Sequence, residues 1–144
     1  MHIRRTYTSL TLAGTLPFVA GAALAFANIQ DLPVLGATEA LVISYGLAIV
    51  CFLTGTHWGM QIVAETRAPG YLLILSNLLF LVAWIGYLLL PAAGAALVLA
   101  GTFGILLLVD HRLLDYAVIE RPYFQMRTLA TIVAIVSLLV IAAV

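Results

Sequence analysis

Long apolar runs separated by short polar breaks organise this chain. A membrane-crossing helix needs about 20 mostly apolar residues, each rising 1.5 Å. Five runs of that size occur, over 7–27, 38–64, 70–90, 92–109 and 126–144. The breaks carry charge or proline. Asn28, Gln30, Asp31 and Pro33 close the first run, and Glu65, Arg67 and Pro69 the second. Pro91 closes the third, and Asp110, His111 and Arg112 the fourth. Residues 110–125 read as an amphipathic surface segment, with Leu113, Leu114, Ala117 and Val118 toward lipid and Asp115 and Glu120 toward water, ended by Pro122. No period-two alternation survives, and an open sheet cannot sit in lipid, so strands are not expected. The pattern predicts an all-α integral membrane protein. Its single domain is a five-helix transmembrane bundle.

Composition sharpens this. Hydrophobic residues make up 65% of the 144 and charged residues 8%, against roughly 25% charged in a soluble domain. So few charges cannot give a water-soluble surface. Net charge is zero and there is no lysine, so six arginines cannot build a phosphate-tracking stripe and nucleic-acid binding is disfavoured. One cysteine, Cys51, permits no internal disulfide and no cysteine-based metal site.

The arginines set an expected orientation. Arg4 and Arg5 precede the first run, Arg67 lies between the second and third, and Arg112, Arg121 and Arg127 flank the fourth break. With five spans these segments fall on one side, while the opposite loops carry Asp31 and Glu39 and no basic residue. Positive residues favour the cytoplasmic side, which puts the N-terminus in the cytoplasm and the C-terminus outside. In a mitochondrion the matrix takes the place of the cytoplasm. Arg4-Arg5, an apolar core and Ala25-Phe26-Ala27 also fit a secretory or twin-arginine signal. Against that reading, Thr8, Ser9, Thr11, Thr15 and Pro17 interrupt the core, and Ala13, Pro17, Gly21 and Ala25 recur every fourth position as a packing ridge does.

Chemistry has few places to reside. Cys51, Gly55 and Gly59 form one small-residue ridge on the second span; Ala92, Ala96, Ala100 and Gly104 form another on the fourth. Such ridges let helix backbones approach, so helix packing is the first reading of Gly55, Gly59, Ala96, Ala100 and Gly104. His57 lies about 200° around the helix from Gly55 and Gly59, with Gln61 and then Glu65 one and two turns along its face. The second span is therefore expected to be gripped on both faces, as the central helix of the bundle. His57 lies roughly 10 Å inside the cytoplasmic boundary, level with Asn77 on the third span. Thr11, Thr15, Thr128 and Thr131 fall in the same leaflet, whereas the outer halves are nearly all apolar. Polar side chains in hydrocarbon are costly unless paired and so face the bundle interior. His57, Gln61, Asn77 and Trp58 are thus the candidate intramembrane polar site. Helix-to-helix hydrogen bonding is the competing reading of His57, and interfacial anchoring that of Trp58 and Tyr71.

Asp110, Arg112 and Arg127 read as interfacial charges, with Asp110, His111 and Arg112 a solvated end carrying local salt bridges. Bis-histidine haem would need His57 and His111 at one level, and His111 belongs to the surface, so haem is disfavoured; a quinone remains compatible. Zinc would need three or four ligands, and only His57 is buried; no catalytic triad gathers at one depth.

Leu16-Pro17-Phe18, and above all Phe52-Leu53-x-Gly55-x-His57-Trp58-Gly59, resemble the DUF3429 family. This family groups small proteobacterial inner-membrane proteins with mitochondrial transmembrane-protein-sixty-nine-like proteins. The Asp110 loop and the stretch from Tyr123 to Arg127 are similar to its later part, so the resemblance spans nearly the whole chain. It implies a five-span, multi-pass protein of the bacterial inner (plasma) membrane and brings no activity with it. Two functions stay open. One is a non-enzymatic accessory or assembly protein partnering subunits of a larger inner-membrane, respiratory complex. Small size, minimal loops and packing ridges favour it. The other is a protein binding a quinone, lipid or proton in an inner-leaflet polar pocket around His57.

Overall fold

The structure, a computed structural model, describes residues 2–64 and 67–144, with side chains from Thr6 onward among them. Glu65, expected on the His57 face, and the side chains of Arg4 and Arg5 lie outside the described residues.

Five long helices form the body: α1 (His2–Phe26), α2 (Thr38–Ala64), α3 (Leu72–Leu89), α4 (Ala92–Asp115) and α5 (Arg121–Ala143). Each contains a window long and apolar enough to cross a membrane, consistent with a five-span membrane bundle. α2 packs against all four other helices, α5 mainly against α4 and α1. The core runs through Phe18, Val50, Leu99, Phe103, Leu106 and Leu138, all almost completely buried.

Local chemistry explains the helix ends. Past α1 the chain turns at Asn28, whose φ of 57° is the left-handed conformation asparagine tolerates, and the Ile29 amide reaches back to the Leu24 carbonyl. Thr38 opens α2; its hydroxyl donates to the Ile29 carbonyl and its amide to that of Gln30. Contrary to the expectation of no strands, β1 (Asp31–Leu32) and β2 (Gly36–Ala37) form a two-residue antiparallel ladder here. It sits in the connection between helices, where the bar on open sheets in lipid does not apply. Pro91 is the N-cap of α4, and its carbonyl accepts from the Ala95 amide, so two residues suffice to turn the chain.

The surface segment expected over 110–125 is not a separate element. α4 continues through Asp110 to Asp115, and α5 begins at Arg121, five residues before the expected start of the last span. The charge of Asp110 predicts a helix end, but that charge is paired with Arg127 inside the bundle. Pro122, expected to end the segment, occupies the first turn of α5, where a missing amide hydrogen breaks no helical bond.

The tightest helix approaches use Gly21 of the expected first-span ridge, together with two glycines outside the expected ridges, Gly46 and Gly86. A side chain at Gly21 would collide with Val42, joining α1 to α2. A Cβ at Gly46 would lie 3.3 Å from Leu99 on α4, and one at Gly86 3.0 Å from Val98. By contrast nothing lies within 4 Å of a Cβ at Gly55, Gly59 or Gly104. The Gly55–Gly59 ridge therefore faces out of the bundle, and α2 is not gripped on that side. On α4, Ala96 and Ala100 are buried as expected, but Gly104 is not a contact point. In α1, Gly21 packs while Ala13 and Pro17 stay exposed.

A buried ion cluster beside an aromatic cleft

Three helices bring charge into the core at one place. On α2 the buried stripe runs Gly46, Val50, Leu53, His57; on α4 it runs Leu99, Phe103, Leu106, Asp110, Leu113; on α5 it runs Arg127, Thr131, Ala134, Leu138, Ile141. Steps of three and four keep each stripe on one helix face, so His57, Asp110 and Arg127 share the faces that build the core. His57 Nε2 lies 2.8 Å from Asp110 Oδ1. Arg127 donates to Asp110 Oδ2 from Nε at 2.9 Å, and its Nη2 is also 2.9 Å from that oxygen. Asp110 is 1% exposed and His57 2%. A carboxylate only accepts, so the hydrogen shared by ring and carboxylate is on Nε2. Asp110 and Arg127 meet as opposite charges with hydrogen bonds between them, the condition under which ions persist in an apolar interior.

Some polar capacity is left over. His57 Nδ1, Gln61 Oε1 and Thr131 Oγ1 are buried and bond nothing among the described residues. Of the five guanidinium hydrogens, Asp110 accepts the one on Nε and also lies 2.9 Å from Nη2, and Nη1 makes no contact with it. Arg127 and Thr131, one turn apart on α5, line a cleft of about 440 Å³ between α1, α2 and α5, with Phe103 of α4 also in its wall. Most of its lining is apolar. Phe18, Phe52, Phe103, Tyr7 and Tyr123 contribute rings, and the exposed Leu10 and Phe52 lie at its edge. Tyr7 and Tyr123 meet edge to face at 6.3 Å. Thr11 and Thr15 of α1 share the wall. Tyr45 anchors that wall by donating its hydroxyl to the Gly14 carbonyl at 2.8 Å.

Over residues 3–143 the chain matches the family described as "Protein of unknown function (DUF3429)". The chain belongs to the DUF3429 family. No curated protein and no solved structure matches it. In this DUF3429 protein the Phe52-to-Gly59 motif divides by helix face. His57 enters the ion cluster, Phe52 and Leu53 line the cleft, and Gly55, Trp58 and Gly59 point outward.

The candidate polar residues separate likewise. His57 and Gln61 lie on one face of α2, Gln61 half-buried. Asn77 does not join them: it is exposed on α3 and donates to its own helix at the Leu73 carbonyl, 2.8 Å away. Trp58 is exposed as well. Among the residues expected at the interface, Arg112 is exposed, whereas Asp110 and Arg127 are inside. The expected solvated end is thus corrected: Asp110 is inside, and the exposed His111–Asp115 pair, 3.5 Å apart, is a surface contact there. Asp110 and Arg127 as partners of His57, and Tyr7, Phe103 and Tyr123 as cleft walls, were not anticipated. Spacing carried the signal for the two charges, since both continue an apolar stripe. Among the described residues no group of three or more metal-ligating side chains gathers.

Proposed function

We propose that this protein binds a small amphipathic molecule in the cleft between α1, α2 and α5, with its polar end at Arg127 and Thr131. The carrying observation is Thr131, a residue of the mostly apolar cleft wall one turn from Arg127, whose hydroxyl is buried and unpartnered. A buried hydroxyl without a partner costs about 1–3 kcal/mol, which a ligand oxygen would recover. The cleft's volume falls within the range of small-molecule sites. His57 acts at one remove, holding Asp110 and through it Arg127. The reading takes the multi-pass protein to lie in a bacterial inner membrane with its arginine-bearing end in the cytoplasm, so that the cleft opens in the inner leaflet. A reporter inserted at Val34, the exposed tip between β1 and β2, is then active only outside the cytoplasm.

The binding test is native mass spectrometry of protein extracted gently from membranes. A small amphiphile should accompany the wild-type chain and be lost from Thr15→Phe, which fills the cleft. A wild-type chain free of small molecules, or a passenger unaffected by Thr15→Phe, would sink the reading. The outward Gly55–Gly59 face of α2, open to a close-packing neighbour, favours a second reading as an accessory or assembly protein of a larger inner-membrane complex. The same spectra answer it, since that role requires complex subunits to travel with the chain.

A further inference from the structure

We infer that the cleft selects an uncharged head group bearing a hydrogen-bond-accepting oxygen and discriminates against anionic amphiphiles. The inference rests on the ligand-binding reading above and adds the chemistry of the head group.

Three observations carry it. The polar groups of the wall can donate: the guanidinium of Arg127 has hydrogens that Asp110 does not engage and accepts nothing, and the unpartnered Thr131 hydroxyl has a hydrogen to give. An acceptor oxygen is what they lack. Arg127, however, is not a free cation. Its charge is balanced at 2.9 Å by Asp110, which is held from its other oxygen by His57. A carboxylate or phosphate head would therefore add a net negative charge beside Asp110 in a low-dielectric wall, where among the described residues no second cation lines the cleft. A carbonyl, ester or ether oxygen takes the same donors and leaves the charge balance intact. Finally, the five aromatic rings around the cleft suit a flat or extended apolar body. A quinone-type head and an acylglycerol head share this chemistry.

The full-length chain in phosphatidylcholine nanodiscs provides the test at pH 9, with decylbenzoquinone, monododecanoylglycerol and dodecanoate as probes. At least one neutral probe should bind about tenfold or more tightly than dodecanoate, and which one does so identifies the source. Thr131→Val, nearly the same shape without the hydroxyl, should weaken that probe about five- to tenfold and leave dodecanoate unchanged. Asp110→Asn, which exposes the Arg127 charge, should reverse the preference toward dodecanoate. Should that variant not fold, the wild-type ratio and Thr131→Val decide alone. Dodecanoate binding as tightly as both neutral probes overturns the head-group inference and leaves the cleft reading standing. No binding by any probe, together with no co-extracted molecule, removes both.

Discussion

The two faces of α2 use similar small residues to opposite ends. On the inner face, Gly46, Val50, Leu53 and His57 pass through the middle of the bundle, and the missing side chain at Gly46 admits Leu99 from α4. On the outer face, Cys51, Gly55 and Gly59 repeat every fourth residue; Cys51 is exposed and nothing lies within 4 Å of a Cβ at either glycine. The more regular motif is the one without an intramolecular contact. A small-residue repeat shows that a helix face permits close approach; it does not show that this chain supplies what approaches. The costly polar residue identifies the inner face, because His57 needs a partner and the glycines do not.

Breaking the inner face should have the largest effect at its charges. Asp110→Asn leaves a buried guanidinium without its counter-ion, and loss of one partner of a buried pair typically costs about 3–5 kcal/mol. A large drop in melting temperature in detergent is expected. A melting temperature equal to wild type would mean that the cluster is solvated.

Glycine exchanges test the comparison directly. Gly46→Leu should destabilise by about 1–3 kcal/mol through overpacking against Leu99, while Gly55→Leu stays within about 0.5 kcal/mol in the isolated chain. The reverse order would turn α2 around. If Gly55→Leu removes a partner subunit while leaving the monomer's melting temperature unchanged, the outer face is an interface.

A smaller loss, about 1 kcal/mol, is expected for His57→Gln, because an amide still donates to Asp110 but fits the site less well. Loss of the bound amphiphile with that small change in stability would show that His57 positions Arg127 for the ligand. The smallest effect belongs to Asn77→Leu, within about 0.5 kcal/mol, since its amide bonds only its own helix and its side chain is exposed. A loss of several kcal/mol there would return Asn77 to the polar site.

These contrasts explain what was legible in the chain. Hydrophobic run length located all five helices, and the bounds expected for the second span, 38–64, match α2. The inward direction of His57 followed from cost alone. Its partners did not, for two physical reasons. Depth along a helix does not fix rotation about it: Asn77 shares the expected level of His57, but the buried polar position on α3 is the adjacent Ser76, about 100° away. A charged residue near the end of an apolar run also reads as a boundary with water, which is where Asp110 and Arg127 are expected. The buried stripes Leu99–Phe103–Leu106 and Thr131–Ala134–Leu138, continued by fours, reach both residues. The cleft itself has no local signature, because its walls come from α1, α2, α4 and α5.

The ion cluster also imposes an order on biosynthesis. His57 and Asp110 are 53 residues apart in the chain, and Arg127 follows Asp110 by 17. At about 5–20 residues per second, the ribosome leaves His57 without its acceptor for about 3–10 s after α2 emerges. Asp110 then waits for Arg127, the last of the three to be made. A chain truncated between Asp110 and Arg127 therefore carries an unmatched acid among its apolar helices. Only the arrival of the fifth helix, which brings Arg127, balances it.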